Sequence, residues 1–155
     1  MMMPTTRRAR QSGVGLIEVL VAVLVLSIGF LGVAALEARS LSTNNSAMAR
    51  SMATISSYSI LDAMRADVDN AKGGAYNTSS PLSPASCPAA GTTLASVQLK
   101  QWCDQLGTSV GKVATTTGAV QCSATGLCTV TVSYDDSRAG WGYASNQQVV
   151  TKGML

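Results

Sequence analysis

The feature that most constrains this chain is an apolar segment close to its N-terminus. Residues 14 to 36 are apolar or small at every position except Glu18 and Ser27. As an α-helix these 23 residues would extend about 34 Å, which exceeds the roughly 30 Å of a bilayer's hydrocarbon core. The segment therefore predicts a single membrane-spanning helix.

Glu18 makes the segment unusual, because it puts a carboxylate near the start of a stretch suited to lipid. A charged side chain at the centre of a membrane costs about 2.5 to 3.5 kcal/mol on insertion scales, and ionisable residues in such segments are functional by default. We therefore expect a partner to neutralise Glu18. The alternative is a position at the level of the lipid headgroups, where no partner is needed.

The arginines predict the orientation of the segment in the membrane. Arg7, Arg8 and Arg10 precede it and Arg39 follows it, so the positive-inside rule puts the leader in the cytoplasm. Removing residues 1–13 takes three of the eleven basic side chains and leaves eight, which equals the eight acidic ones. No basic surface then remains that would favour nucleic-acid binding.

The junction between the leader and the apolar segment resembles the prepilin signature of type IV pilins and their relatives. The residues that carry the resemblance are Gly13, Val14, Leu16, Ile17 and Glu18. The resemblance implies that a prepilin peptidase cuts between Gly13 and Val14 and that the new amine of Val14 is methylated. It also implies that Glu18 pairs with the N-terminal amine of a neighbouring subunit, a buried ion pair that sets register more than it adds stability. Val14 and Gly15 depart from the family, which more often has phenylalanine and then threonine or serine.

A longer stretch resembles a subgroup of that family, the PilV-type minor pilins. The residues involved are Leu26–Leu36, Asn45, Arg50 and Asp62–Ala66. This resemblance implies a structural subunit that primes or enters a type IV pilus with other minor and major pilins and supports twitching motility. It implies an inner-membrane protein with a periplasmic head, which later joins the filament. The implied fold is α+β, with a long N-terminal helix packed on a small antiparallel sheet.

Two other classes of protein remain open. Pseudopilins of type II secretion systems share the same junction, and only the PilV-like stretch favours a pilus. An ordinary signal peptide, cut after Ala35, would instead release a disulfide-stabilised binding domain. Glu18 and the length of the segment argue against that second class, since signal-peptide cores usually have roughly 7 to 15 apolar residues and no acid.

Beyond the membrane segment the helix is predicted to continue to Asn70. Residues 36 to 70 contain no proline or glycine, and Gly73 with Gly74 supplies a stop. The prediction divides it into a membrane part, 14–36, and an amphipathic periplasmic part, 37–71. An apolar stripe at helical spacing predicts packing against the head. Its members are Leu41, Met48, Met52, Ile55, Tyr58, Leu61, Met64 and Val68.

Gly29 and Gly32 lie within the membrane segment, where each lowers helix propensity by up to about 1 kcal/mol relative to alanine. Such glycines either loosen a helix or let a neighbouring helix approach closely. We favour helix packing, although the spacing of three differs from the GxxxG motif.

The predicted head, residues 72–155, contains all four cysteines, which are Cys87, Cys103, Cys122 and Cys128. Disulfides persist in exported proteins, and each adds about 2 to 4 kcal/mol. Four cysteines allow three pairings. A hairpin with a Thr-Gly turn favours Cys122 with Cys128, and we expect Cys87 with Cys103. Zinc is not expected, because the spacings do not fit ligand pairs and the chain has no histidine.

The remaining pattern of the head predicts a loop, a helix and three strands. The loop covers 75–91 and is rich in proline and serine. A short helix is expected to bury Leu94, Val97, Trp102 and Leu106 on one face and to end at Gly107. The strands are predicted near Ala119–Cys122, Cys128–Tyr134 and Gln147–Thr151.

The connection between the last two strands offers candidate binding residues. Trp141 and Tyr143 are expected to be exposed and to contact a partner, because aromatic residues are enriched at interfaces. Asp135 and Asp136 are a weak candidate for calcium, since two adjacent carboxylates lack further oxygens at regular spacing.

The sequence contains no recognisable catalytic motif. It has no histidine, no Gly-x-Ser-x-Gly motif and no phosphate-binding loop. We therefore predict no enzymatic activity, no cofactor and no small-molecule substrate. The chain is itself expected to be the substrate of a peptidase, with inner-membrane lipid and other pilins as its partners.

Overall fold

The structure, a computed structural model, describes residues 15–137 and 145–155. The chain divides into two compact units, one ending at Ala38 and the other formed by Arg39–Leu155. The elements, in chain order, are helices α1 (Leu16–Arg65), α2 (Val68–Lys72) and α3 (Leu94–Leu106), a π-helical turn (Gly107–Gly111), and strands β1 (Thr117–Cys122), β2 (Leu127–Tyr134) and β3 (Gln147–Met154). A long apolar helix and a small antiparallel sheet confirm the predicted α+β, pilin-like fold class.

In the described part of the first unit, Gly15 precedes the beginning of α1, and the side chains of this part of the helix are exposed on every side. Within the described residues α1 is the one helix long and apolar enough to cross a membrane, with a mean hydropathy of 2.8 in its most apolar window. The hydroxyl of Ser27 donates to the carbonyl of Val23 at 2.7 Å. That bond satisfies the polar group inside the helix, so Ser27 adds little cost in lipid.

The helix ends earlier than the sequence predicted, at Arg65 rather than Asn70. Asp67 explains the break, because its carboxylate accepts hydrogen bonds from the Asn70 side chain at 2.7 Å and the Tyr76 hydroxyl at 3.1 Å. Aspartate side chains that bond to nearby groups compete with helical geometry. Helix resumes as α2, and the predicted glycine stop follows, with Gly74 at a φ of +82°.

The face of α1 that packs on the head differs from the predicted stripe. The buried residues are Ala53, Ser56, Ser57, Ile60, Leu61 and Met64. Only the last two belonged to the stripe, whereas Leu41, Met48, Ile55 and Tyr58 are exposed. Small residues let the helix approach closely, and the Ser57 hydroxyl, which donates to the Ala53 carbonyl at 2.9 Å, can be buried because it is satisfied.

The core of the head lies between the helices and one face of the sheet, with Trp102 at its centre. The indole N–H of Trp102 donates to the backbone carbonyl of Ser56 at 2.9 Å. Its ring lies over Gly118, where an added Cβ would be only 2.5 Å from the Cη2 atom of the indole. The strand approaches the ring this closely because position 118 has no side chain. Trp102 is therefore a core residue, as predicted.

Helix α3 is capped by Thr93, whose side chain accepts a hydrogen bond from the N–H of Ser96 at 3.2 Å. The prediction of its buried face was half wrong, since Leu94 and Val97 are exposed. The predicted end at Gly107 is confirmed, because α3 ends at Leu106 and Gly107 is its C-cap. The backbone of Gly107 stays in the right-handed helical region and the chain continues through the π-helical turn to Gly111, which has a φ of +144°.

The sheet has the order β1-β2-β3, with both pairs antiparallel. The three strands lie where the sequence predicted them, and each extends beyond its predicted bounds. Cys122 pairs with Cys128 across β1 and β2, with a Cα–Cα distance of 4.0 Å. A second disulfide joins Cys87 to Cys103 and so ties the proline-rich loop to α3. Both pairs are the ones expected from the sequence.

Candidate assembly site

The start of α1 contains the residues for which the sequence predicts a function. Gly15 precedes the helix, and its carbonyl accepts from the N–H of Glu18 at 2.9 Å and from that of Val19 at 3.3 Å. Glu18 thus belongs to the first helical turn. Acidic side chains are stabilised there, because the unpaired N–H groups give a helix N-terminus a partial positive charge.

Glu18 is surrounded by exposed apolar side chains. Leu16 is 85% exposed and Ile17 is 71% exposed. Within residues 15–137 and 145–155 the carboxylate of Glu18 makes no ion pair or hydrogen bond. The charge is therefore available to a group from outside the described part of the chain.

The apolar surface around Glu18 extends along the helix as far as Leu36, and its side chains are all exposed. Removing apolar surface from water is worth about 25 cal/mol per Å², and apolar patches this large mark contacts with membranes or other proteins. This part of α1 therefore requires lipid or neighbouring helices around it. Either surrounding, lipid or neighbouring helices, is expected around a membrane anchor.

Gly29 and Gly32 lie on this surface and do not interrupt the helix. A Cβ atom added at either position would meet nothing within 4 Å. The surface at both glycines is open, as helix packing against another subunit would require. Such packing remains a prediction.

Four residues of interest from the sequence lie outside the described residues. They are Gly13 and Val14, at the predicted cleavage point, and Trp141 and Tyr143, the predicted partner contacts.

The acids after β2 have a structural role that the sequence pattern did not indicate. Asp136 is buried and accepts a hydrogen bond from the hydroxyl of Ser46, 90 residues earlier, while Asp135 accepts from the N–H of Ser137 at 2.9 Å. Burial raises the pKa of the Tyr134 hydroxyl, and the Asp136 carboxylate raises it further. The described residues contain no group of three His, Cys, Asp or Glu that would hold a metal ion. Asp136 therefore anchors the end of β2 to α1.

Comparison with known proteins identifies one similarity. The family model for the prokaryotic N-terminal methylation motif matches residues 8–34. No curated protein and no solved structure gives a match. The matched range includes the predicted cleavage point, Glu18 and both helix glycines. It supports a type IV pilin-like or pseudopilin protein, and it implies processing by a prepilin peptidase and assembly with other pilins.

Proposed function

We propose that this chain is a PilV-type minor pilin, a non-catalytic structural subunit that primes or enters type IV pilus assembly. In this proposal a prepilin peptidase cleaves between Gly13 and Val14, and the amine of Val14 is then methylated. The leader, residues 1–13, lies in the cytoplasm, the apolar part of α1 spans the inner membrane, and the head lies in the periplasm. The helix later leaves the lipid for the filament.

The main support for the proposal is the agreement between a sequence match and an exposed surface. The methylation-motif match, residues 8–34, covers the same stretch in which the described helix exposes its apolar side chains on all sides. Glu18 is the single charged residue of residues 15–36. A membrane anchor alone explains the apolar surface, but it gives no reason for an acid in the first turn.

An ion pair with a neighbouring subunit gives such a reason. Cleavage creates a positive amine at Val14, four residues before Glu18, which is about 6 Å along a helix axis. A neighbouring subunit offset by that distance would bring its amine beside the Glu18 carboxylate. Because one charge left unpaired in an apolar bundle is costly, this pair would disfavour other offsets and so set the register of the subunits.

Deletion of the gene tests the proposed function against the pseudopilin alternative. The deletion strain is expected to lose surface pili and twitching motility and to secrete exported enzymes normally. Complementation with the full chain should restore pili, whereas complementation with a Gly13→Glu variant, which blocks the cleavage point, should not. Lost secretion with normal pili would instead assign the chain to a type II secretion system. Normal pili and normal secretion would contradict both.

A further inference from the structure

The two outer edges of the sheet differ, and the edge of β1 is closed. The segment that follows α2 runs alongside it and pairs its outward backbone groups in turn. Gly118 exchanges two bonds with Leu82 (2.7 and 2.9 Å), Val120 bonds with Thr78 (3.0 and 3.1 Å), and Cys122 bonds with the side chain of Asn77 (2.6 and 3.1 Å). No backbone group of this edge is left for another strand.

The edge of β3 is open within the part of the chain that the structure describes. The N–H of Leu155 donates to the carbonyl of Gly126 at 2.9 Å. Every second residue of β3, counted back from Leu155, therefore directs its backbone N–H and carbonyl groups towards β2. The backbone groups of the other four residues point outward. These are Gln148, Val150, Lys152 and Met154, and their side chains are all exposed. Among the described residues no group pairs with this edge.

This edge has few of the features that usually prevent strand pairing. It is eight residues long, keeps an unbroken register with β2 and contains no proline. Natural sheets protect such edges with bulges, prolines, charges or a covering segment. Lys152 is the single charged residue of the strand. A regular edge with one charge is suited to a specific partner strand.

We propose that the free edge of β3 binds an extended strand of another protein by β-augmentation, with an acidic residue of that strand opposite Lys152. Backbone hydrogen bonds to the outward groups of β3 supply affinity, and alternate side chains supply specificity. Val150 is 54% exposed and Met154 is 63% exposed, on the same face as Lys152. The partner strand therefore carries apolar residues on either side of its acid.

Charge argues against a second copy of β3 as the occupant. The strand has Lys152 and no acidic residue, so a second copy cannot neutralise the lysine in any register. Registers that bring the two lysines opposite each other are disfavoured, because like charges on directly opposed residues destabilise a strand pair. An acidic, alternating strand of a different protein avoids both problems. The inference does not depend on the proposed pilin function.

Two synthetic peptides test this inference on the full chain in detergent micelles. The first has valine, glutamate and valine at alternate positions with threonines between them, and the second has lysine in place of the glutamate. We expect the glutamate peptide to bind about two- to fivefold more tightly, the upper part of the range that one cross-strand charge pair supports. Hydrogen exchange should slow at the amides of Val150 and Lys152 and not at that of Thr151, which is already bonded to β2.

Three variants identify the edge as the binding site. Val150→Pro removes an outward N–H without removing a bond to β2, and it should abolish binding. Val150→Thr is its matched control, because it also removes the valine side chain but keeps the N–H and should keep binding. Lys152→Glu should reverse the preference, so that the lysine peptide binds more tightly.

Several results would overturn the inference. Equal binding of both peptides, or binding that survives in Val150→Pro, would exclude augmentation at this edge. The same amides could instead be protected from hydrogen exchange without peptide, with protection that rises with protein concentration. That result would identify a second copy as the occupant and contradict the acidic partner. Retention of both disulfides and of the far-ultraviolet circular dichroism spectrum verifies that each variant is folded.

Discussion

Replacement of Gly118 by alanine is expected to destabilise the head by about 2 to 3 kcal/mol. The new Cβ would lie 2.5 Å from the Cη2 atom of Trp102 and 2.6 Å from the Cδ1 atom of Leu106, where ordinary contacts are 3.4–4 Å. Both side chains are buried, and the indole is held by its bond to Ser56. Overpacking a core costs about 1 to 3 kcal/mol, and the rigidity of the ring favours the upper part of that range.

Gly153→Ala is a matched control in the same sheet. Its Cβ would lie 3.2 Å from the Cδ2 atom of Leu61, so this buried side chain needs to shift by only a few tenths of an ångström. We expect a loss below about 1 kcal/mol. Gly29→Ala is a second control, since nothing lies within 4 Å of its Cβ. Alanine there raises helix propensity and leaves the head unchanged.

Urea unfolding of the full chain in detergent micelles measures these differences. Near-ultraviolet circular dichroism follows the packing of Trp102, and a Trp141→Phe background removes the second tryptophan. With m near 2 kcal/mol/M, Gly118→Ala should lower the urea midpoint by about 1 M without changing m. A stability of Gly118→Ala within about 0.5 kcal/mol of the wild type, or an equal loss in Gly153→Ala, would contradict close packing of Trp102 on Gly118.

Three further predictions concern assembly, the disulfides and pH. Glu18→Ala should be cleaved normally but yield few pili, as judged by immunoblot and electron microscopy; normal pilus numbers would remove its proposed role. Replacing Cys87 and Cys103 by serine opens a loop with a sequence separation of 16, which should cost about 3 kcal/mol in urea unfolding, and an unchanged midpoint would contradict this. Burial, together with Asp67, raises the pKa of Tyr76 from 10.0 to about 12. Because folding raises this pKa, the stability that the protonated Tyr76 hydroxyl contributes is complete below pH 10 and is lost between about pH 10 and 12. Over that range the melting temperature of Tyr76→Phe should fall less steeply with pH than that of the wild type. Equal slopes in the two proteins would refute the assignment.

Much of the fold could be predicted from short-range patterns. The unbroken apolar segment predicted the first half of α1, because only a helix satisfies its own backbone in lipid. Alternating residues predicted β2, and a hairpin around Gly126 brought Cys122 and Cys128 together as expected. Each of these patterns lies within one continuous segment of the chain. Their outcome therefore depends little on the rest of the chain.

The parts that were mispredicted depend on contacts with residues outside their own helix or strand. The stripe on α1 was chosen by apolarity, whereas the head buries Ser56 and Ser57, and the Ser56 hydroxyl finds its partner in Ser109, 53 residues away. Asp67 ends α1 because Tyr76 donates to it from beyond the turn. Asp136 was considered for calcium, but its partner is Ser46, 90 residues away. A pattern within one segment contains no signal for such contacts.

The mature N-terminus is a direct test of the proposed assembly contact, because the Glu18 ion pair needs a free amine one helical turn away. Intact-mass and N-terminal peptide analysis of the protein from its own bacterium gives that residue and its modification. We expect a chain that begins at Val14 and carries one methyl group on its amine. A chain that keeps residues 1–13, or one that begins beyond Ala35, would contradict it.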